Sequence, residues 1–467
     1  MTAFRAFQLP PGTRGFETAE IQAKGHLRAR FSRAGGEALL RSLRRARATL
    51  CGRTSRDLAQ SIGEVGRRFT EPGDPLRREA ELKLPSEAGI SPSMASLIID
   101  GMARDWTPEP LERLLLADFQ DPGILDNFRP DVEGQLSKAV GGSLAFHIGA
   151  GNLPGIGTTS IIRSLLVKCP VLLKPGRGDV TLPCLFVQAL LESDPELAKA
   201  VAVVYWARGE GSDLEELAIH EADRVVAYGG TDLVRELRTR LPPTTPLVAY
   251  HHRLSIGAVA REHLDTLAQA EAVARKAARS VATFDQRGCV SPQIIWVEEG
   301  APTKPVTWAK LLATELEVLA QEMPAGPIDK TVAAALQQLK ATAELKGLAG
   351  MGDRVFGDAA GKGIVFFDPK TSGVTSLAGT GRTVVVKPIA DLSQLSEVIR
   401  PASRTLQTLA LDAPELRRRE LEDPLATSGI TRITTFKKQP WPAAWWRHDG
   451  TGPLQALVSW VVLEEND

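Results

Sequence analysis

Short apolar segments alternate with helix-like segments along the middle of this sequence, and this alternation restricts the fold more than any other feature. The apolar segments are residues 143–148, 171–174, 201–206, 224–228 and 246–250. The segments between them have helical periodicity, as in Ile161–Val167, Leu182–Leu191 and Leu233–Leu241. Strands joined by helices of this length predict βαβ units, in which helices cover both faces of a parallel sheet. Nucleotide-binding domains commonly have this architecture.

A second alternating block starts near Leu254 and predicts a second domain of the same kind. It contains a long alanine-rich helix from Leu264 to about Thr283. Its strand candidates are residues 254–259, 294–297, 363–367, 383–387 and 405–410. A chain of 467 residues exceeds the size at which one hydrophobic core keeps growing, so two domains are expected.

We assign residues 1–252 to an N-terminal helical region plus a nucleotide-binding domain, and residues 253–435 to a second domain. Residues 436–467 form a tail that packs on the first domain or on a partner subunit. Within the first region, residues 25–70 are rich in arginine and helical in period. This stretch is either a solvated helix or a basic docking face for an acidic partner.

The charge balance excludes several classes of partner. Lysine plus arginine and aspartate plus glutamate both total 56, so no net field attracts nucleic acid or an anionic membrane. The segment Met1–Pro10 lacks the apolar core of a signal peptide, and no later apolar run is long enough to span a bilayer. Few, irregularly spaced cysteines fit a reducing compartment. We therefore expect a soluble cytoplasmic protein without nucleic-acid or membrane partners.

Cys289 is the leading candidate for chemistry. It directly follows Gly288, where a helical run breaks, and it precedes the apolar segment 294–297. A cysteine on such a turn can present its sulfur to a cleft and gain thiolate character from nearby backbone N–H groups. A turn cysteine without any chemical role is the alternative. In the nucleophile interpretation, residues 253–435 form the catalytic domain.

The three other cysteines have a different setting. Cys51, Cys169 and Cys184 fall within apolar periodic stretches, where a free thiol packs as a small buried residue. The cysteine and histidine spacings contain no ligand cluster of the kind that zinc sites use. We therefore predict no metal site.

Two loops of the first block are candidates for ligand binding. The loop Gly149–Gly155 follows a strand and leads into a helix, but its glycines do not fit the pattern G-x-G-x-x-G. Asn152 in this loop either donates to a developing oxyanion or simply forms the turn. Lys174 and Arg177 follow the next strand, where they either bind ribose hydroxyls and a 2′-phosphate, respectively, or are surface charges of a turn.

Gly229, Gly230 and Thr231 come after the fourth strand and precede a helix. Free N–H groups at the start of that helix would face a pyrophosphate. A simple strand-to-helix turn explains the same residues. The tripeptide alone does not decide between the two interpretations.

The order of these segments resembles the aldehyde dehydrogenase superfamily across roughly residues 140–440. That superfamily has an asparagine loop, a Lys-Pro turn, a Gly-Ser or Gly-Thr turn and a nucleophilic cysteine in the same order. More closely, four segments resemble the acyl-CoA reductase family of LuxC type, which includes the fatty-acyl reductase of bacterial luminescence. They are Gly151–Gly155, Cys289–Gln293, Gly381–Val384 and His448–Gly450.

The resemblance implies an aldehyde-dehydrogenase-like fold with two Rossmann-like parallel-sheet domains. It also implies reduction of an acyl thioester, on coenzyme A or an acyl-carrier protein, to an aldehyde by NADPH, with NADH possible. Cys289 is then the nucleophile, Asn152 an oxyanion donor, and His448 a residue that tunes the thiolate or supplies a proton. The expected cofactor contacts are Lys174, Arg177, Gly229, Gly230 and Thr231. His251 and His252 have the same possible roles as His448, and we expect a homo-oligomer.

Two departures from ordinary aldehyde dehydrogenases bear on the reaction. Where those enzymes carry a glutamate that activates hydrolytic water, this chain has Tyr250–Ser255. Ordinary aldehyde dehydrogenases also have a later segment whose glutamate contacts the nicotinamide ribose. In this chain, the segment Gly379–Thr383 stands in its place. Without a positioned base, an acyl-enzyme should resist water and persist for hydride or another acceptor. A hydrolytic NAD(P)-dependent aldehyde dehydrogenase, and an acyl transferase or acyl-binding subunit without hydride transfer, are the alternatives.

Overall fold

The computed structural model describes residues 4–21, 26–130, 134–207, 209–210, 213–358, 363–374 and 381–464. The strands are β1 (Phe4–Arg5), β2 (Phe7–Gln8), β3 (Phe16–Ile21), β4 (His26–Phe31), β5 (Arg129–Pro130), β6 (Leu136–Gly141), β7 (Ala145–Ile148), β8 (Val171–Lys174), β9 (Val201–Val204), β10 (Arg224–Tyr228), β11 (Leu247–Tyr250), β12 (Leu254–Val259), β13 (Pro292–Glu298), β14 (Arg354–Asp358), β15 (Gly363–Phe367), β16 (Thr383–Ile389), β17 (Leu406–Asp412), β18 (Arg432–Thr434) and β19 (Val458–Leu463).

The α-helices are α1 (Arg33–Cys51), α2 (Ser55–Arg68), α3 (Pro75–Ala88), α4 (Pro92–Arg104), α5 (Pro108–Phe119), α6 (Ile156–Leu166), α7 (Thr181–Ser193), α8 (Pro195–Ala198), α9 (Asp213–Glu221), α10 (Thr231–Arg240), α11 (Leu267–Ala282), α12 (Pro305–Glu322), α13 (Lys330–Leu348), α14 (Leu395–Ile399) and α15 (Glu415–Ala426). Within the described ranges, none of these helices has the length and apolar character needed to cross a membrane.

The described residues form two compact units. The first takes its residues from Met1–Ala88, Ala95–His251 and Ala443–Asp467. Its main sheet has the strand order β11-β10-β7-β8-β9-β2. The first five of these strands are parallel to their neighbours, and β2 pairs antiparallel with β9. These parallel strands are the five apolar segments predicted from the sequence.

Helices cover both faces of this sheet. Leu172 of β8 belongs to a buried cluster that includes Leu39 of α1 and Leu217 of α9. The neighbouring residue Leu173 points to the other face, where it lies against Gly157 of α6. The prediction of a parallel sheet covered on both faces is confirmed for this unit.

The second unit takes its residues from Gly89–Met94 and His252–Pro442. Its sheet has the order β14-β15-β16-β13-β12-β17-β18, and only β14, among the described strands of this sheet, is antiparallel to its neighbour. Strands β12, β13 and β17 are buried along their whole length. Such continuous burial is typical of strands covered on both faces.

One face of the second sheet packs against α15, since Trp296 and Leu409 share a buried cluster with Leu421 and Leu425. On the other side, Gly363 of β15 lies against Leu316 of α12. The start of α11 is fixed by a capping box, in which Thr266 and Gln269 satisfy each other's backbone N–H groups. The predicted architecture is therefore confirmed for the second unit as well.

Two smaller sheets belong to the first unit, with the orders β1-β4-β3 and β19-β6-β5. The prediction that residues 25–70 are helical is wrong at its start, because His26–Phe31 form strand β4. Leu27, Ala29 and Phe31 alternate with polar residues, and this alternation is typical of a strand. The arginine-rich helix begins only at Arg33.

Candidate active site

Cys289 lies in a tight turn just before the amino end of β13. The turn is closed by Ser291, whose backbone N–H donates to the carbonyl of Gly288 at 3.0 Å. The hydroxyl of Ser255 on β12 donates to the carbonyl of Cys289 at 2.6 Å. Cys289 itself is half-buried and forms no disulfide. Its backbone is thus fixed from two sides while the residue keeps access to solvent.

The other cysteines differ from Cys289 in exposure. Cys169 and Cys184 are buried, as predicted, and burial raises the pKa of Cys169 to about 12 and that of Cys184 well above its ordinary value. The prediction that Cys51 packs in the interior is wrong, because it is exposed at the end of α1. Leu50 occupies the buried face there, and successive helix residues point in different directions.

Arg432, the first residue of β18, is electrostatically coupled to Cys289. Its guanidinium donates to the carbonyls of Lys438 at 2.7 Å and Gln439 at 2.8 Å. Burial lowers the pKa of Arg432 to about 10, and the negative charge of a Cys289 thiolate opposes that lowering. A nearby cation favours the thiolate form of a cysteine. No sequence pattern connects this arginine with the cysteine, so sequence reasoning missed it.

In the first unit, the structure places the two predicted ligand loops side by side. The N–H of Gly149 donates to the carbonyl of Lys174 at 2.7 Å, at the carboxyl ends of β7 and β8. A Cβ on Gly176 would lie 2.3 Å from the backbone of Ala150, so only glycine permits this approach. Asn152 in one loop and Arg177 in the other are both exposed.

Lys174 ends strand β8 and is half-buried. Its ammonium group lies 5.6 Å from the centroid of the Trp206 ring, within the range of a cation–π interaction. The indole N–H of Trp206 donates to the carboxylate of Glu215, which fixes the ring. The sequence gives no signal that distinguishes Trp206, because it is the last residue of the apolar segment 201–206.

Several helices of the first unit begin at the carboxyl end of the sheet, and the first turns of α6 and α10 differ. At α6, the buried carboxyl group of Asp179 accepts from the N–H groups of Gly155 at 2.7 Å and Gly157 at 2.6 Å. Burial raises the pKa of Asp179, an effect that these two donors oppose. At α10, the capping position is Gly230, which has no side chain to cap the helix. The start of α10 is therefore the better place for a phosphate group.

Tyr250 ends strand β11 and belongs to an aromatic stack of four rings. Ring centroids are separated by 4.7 Å between Tyr228 and Tyr250, 4.4 Å between Tyr250 and His448, and 4.7 Å between His448 and Trp446. Burial raises the pKa of the Tyr250 phenol, so it remains neutral at physiological pH. His251, which follows directly, is half-buried, and His252 is exposed.

The second departure noted in the sequence lies partly outside the described residues, since Gly379 and Thr380 are not among them. Arg382 and Thr383 of the same segment are described and contact the chain just before Cys289.

Within the described ranges, no group of three His, Cys, Asp or Glu side chains could hold a metal ion. The roles assigned to the individual site residues stay predictions.

Comparison with solved structures identifies the fold. The structure of an NAD-dependent benzaldehyde dehydrogenase from Corynebacterium glutamicum matches with a TM-score of 0.70, at 15% identity over 98% of this chain and 96% of that chain. Aldehyde dehydrogenase 21 from Physcomitrella patens matches with a TM-score of 0.74, at 10% identity over 99% and 98% of the two chains. The aldehyde-dehydrogenase-like fold inferred from the sequence is therefore confirmed.

Sequence comparison gives a narrower assignment. A long-chain acyl-protein thioester reductase from Aliivibrio fischeri is 25% identical over 406 residues, covering 86% of this chain and 80% of the relative. A protein of the same name from Vibrio harveyi is 23% identical over 83% of this chain and 78% of the relative. The family model described as acyl-CoA reductase (LuxC) matches residues 60–460. This match includes the Cys289 turn and the segment of His448, and the chain belongs to the LuxC family of acyl-CoA reductases.

Proposed function

We propose that this protein reduces an acyl thioester to an aldehyde with NADPH, through a thioester formed on Cys289. The observation that carries the proposal is the setting of Cys289. Among the four cysteines, only this one combines partial exposure with a turn fixed at 2.6 Å by Ser255 and with coupling to a guanidinium. The names of the relatives from Aliivibrio fischeri and Vibrio harveyi support an acyl thioester as the substrate class.

In the first step, the Cys289 thiolate attacks the thioester carbonyl. A tetrahedral oxyanion forms, the bond between the carbonyl carbon and the carrier sulfur breaks, and the carrier thiolate leaves and takes up a proton. Asn152 and the backbone N–H of Cys289 are the proposed donors to the oxyanion. Loss of one such donor typically costs about a hundred- to a thousandfold in rate.

The acyl group then stays bound to Cys289 as a thioester. NADPH, when bound, supplies the hydride that reduces the acyl carbon. Cys289 leaves as a thiolate when the carbon–oxygen double bond re-forms, and the aldehyde is released. In this scheme His448 tunes the thiolate or supplies a proton, as inferred from the family resemblance.

The first unit contains residues that fit a dinucleotide. At the start of α10, Gly230 leaves the helix without a side-chain cap, so the N–H groups of its first turn, from Thr231 onward, suit a pyrophosphate. The N–H of Gly229 already donates to the carbonyl of Tyr250 at 3.0 Å, so Gly229 would contribute the close approach of its backbone instead. Lys174, at the carboxyl end of β8, suits ribose hydroxyls. Arg177 is exposed three residues later and suits a 2′-phosphate, which is the basis for preferring NADPH over NADH.

The carrier of the acyl group is either coenzyme A or an acyl-carrier protein. The family description names the first, and the names of the sequence relatives refer to a protein thioester. A homo-oligomer and a cytoplasmic location also stay predictions.

The test is a single-turnover experiment with an acyl-CoA and an acylated carrier protein. Intact-protein mass spectrometry without NADPH should show an acyl adduct on the wild type, and addition of NADPH should release aldehyde, trapped as a hydrazone. Cys289→Ala should show neither adduct nor aldehyde, whereas Cys51→Ala, at the exposed cysteine, should behave as the wild type. An adduct that survives in Cys289→Ala would refute the assignment.

A further inference from the structure

The chain just before Cys289 adopts an unusual backbone conformation. Phe284, Asp285 and Gln286 have φ angles of 63°, 49° and 61°, so three consecutive residues other than glycine lie in the left-handed region. All three are buried. Side chains other than glycine are strained in this region, and such residues persist only where the surroundings hold them in place.

Asp285 is held by a buried ion pair with Arg382. The guanidinium of Arg382 donates to Oδ1 of Asp285 at 2.8 Å and 3.1 Å, and Oδ2 accepts from the N–H of Gly326 at 3.0 Å. Arg382 is completely buried, and it also donates to the carbonyl of Met323 at 2.8 Å. The carboxylate of Asp285 is thus fixed by two separate parts of the chain.

Gln286 is held by the backbone of two strands. Its side-chain oxygen accepts from the N–H of Thr383 at 2.7 Å, and its amide N–H donates to the carbonyl of Pro292 at 2.9 Å and to that of Thr383. Pro292 and Thr383 are the first residues of β13 and β16, which pair in parallel from Ile294 and Val385 onward. The Gln286 amide bonds to the backbone of both residues and so joins the amino ends of the two strands.

Cys289 lies midway between two fixed points, three residues after Gln286 and three before Pro292. We propose that Asp285, Arg382 and Gln286 are positioning residues, whose contacts direct the chain through the left-handed turn and so set the direction from which the Cys289 sulfur attacks. This inference rests on the proposed function, since it takes Cys289 to be the nucleophile. The segment Gly381–Val384 takes no part in the acylation steps proposed above. The inference gives it the role of anchoring the chain before Cys289, through Arg382 and Thr383.

Substitutions at Asp285 separate positioning from relief of strain. Asp285→Gly removes the carboxylate but adopts a left-handed φ without strain, whereas Asp285→Asn keeps hydrogen-bonding oxygen and tolerates the same φ. We expect Asp285→Gly to slow acylation of Cys289 by about a hundredfold, which is the typical cost of a small misplacement of a reacting group. Asp285→Asn should slow acylation less than Asp285→Gly, because its amide oxygen still accepts from Arg382, although its NH2 group faces the N–H of Gly326 and the ion pair is lost. The affinity for NADPH should be the same in all three proteins.

If Asp285→Gly acylates at the wild-type rate, the positioning role is wrong and the contacts only relieve strain. If Asp285→Gly does not fold, Gln286→Met and Arg382→Lys give the same comparison, and wild-type acylation rates in both would overturn the proposal. Melting temperatures identify variants that are folded. Slow acylation together with weaker NADPH binding in a folded variant would point to a general structural defect and would also overturn it.

Alkylation of Cys289 by iodoacetamide distinguishes failure of this inference from failure of the proposed function. The reagent requires no acyl thioester, and peptide mass spectrometry separates Cys289 from the exposed Cys51. If the wild type never forms an acyl adduct, the proposed function fails. The alkylation rate of Asp285→Gly relative to the wild type then still decides whether the turn controls the presentation of the sulfur, and equal rates would overturn the inference.

Discussion

The imidazole ring of His448 stacks on the phenol ring of Tyr250, with centroids 4.4 Å apart and an angle of 19° between the planes. Tyr250 begins the segment in which aldehyde dehydrogenases, by the sequence resemblance, place the glutamate that activates hydrolytic water. A neutral phenol packed between Tyr228 and His448 cannot take a proton from water as a carboxylate does. The aromatic stack therefore agrees with a long-lived acyl-enzyme.

Replacing Tyr250 by glutamate should divert part of the acyl-enzyme from aldehyde to free acid. A carboxylate restored at this place can act as a general base, and a rise of about tenfold in the share of free acid is a modest expectation for such catalysis. The measurement is the ratio of aldehyde to carboxylic acid formed from an acyl-CoA at saturating NADPH. Tyr250→Phe keeps the stacked ring and should leave the ratio unchanged. Free acid as the main product of the wild type would contradict the reductase proposal itself.

Arg177→Glu should weaken NADPH binding more than NADH binding. A carboxylate at the proposed 2′-phosphate position repels the phosphate, and we expect a loss of about tenfold or more in NADPH affinity, equivalent to about 1.4 kcal/mol. NADH, which lacks this phosphate, should bind with little change. Fluorescence titration of both cofactors measures the effect, with Arg177→Gln as the charge-neutral control. Equal losses for the two cofactors would show that Arg177 does not contact the phosphate.

His147 predicts a specific dependence of stability on pH. It is buried on β7, where its ring nitrogens contact the hydroxyls of Ser160 at 2.5 Å and Ser164 at 3.1 Å, and burial lowers its pKa to about 3. An unfolded histidine has a pKa of about 6.5, so the unfolded state binds more protons between these two values. The free energy of unfolding should therefore fall as the pH is lowered through this window, by up to about 1.4 kcal/mol per pH unit from this residue.

Melting temperatures of the wild type and His147→Gln between pH 7 and pH 4 test this expectation. The variant should be less stable at neutral pH, since its contacts with the two serines are imperfect. Its melting temperature should fall less steeply with pH, because it has no imidazole to protonate. Parallel curves would mean that other groups determine the acid sensitivity.

The parallel strands were predictable because each is an apolar run long enough to be buried on both faces, as in β8 and β13. The strand β4 was not, since its alternation lies next to a strongly helical arginine-rich stretch. The Cys289 turn was predictable from Gly288. The left-handed residues before it were not, because Asp285 and Gln286 carry no sequence signal for such a backbone and their partners lie 97 residues away.

Arg432 should lower the pKa of the Cys289 thiol, because a guanidinium stabilises a nearby thiolate. Arg432→Met should therefore move the pH profile of Cys289 alkylation and acylation upward by about one pH unit, the smaller end of the usual effect of an opposite charge. At neutral pH both rates should fall by about tenfold, and they should recover when the pH is raised above the new pKa. Arg432→Lys keeps the charge and should shift the profile less. Peptide mass spectrometry gives the alkylation rate of Cys289 at each pH, and superimposable profiles for the wild type and Arg432→Met would show that Arg432 only anchors Lys438 and Gln439.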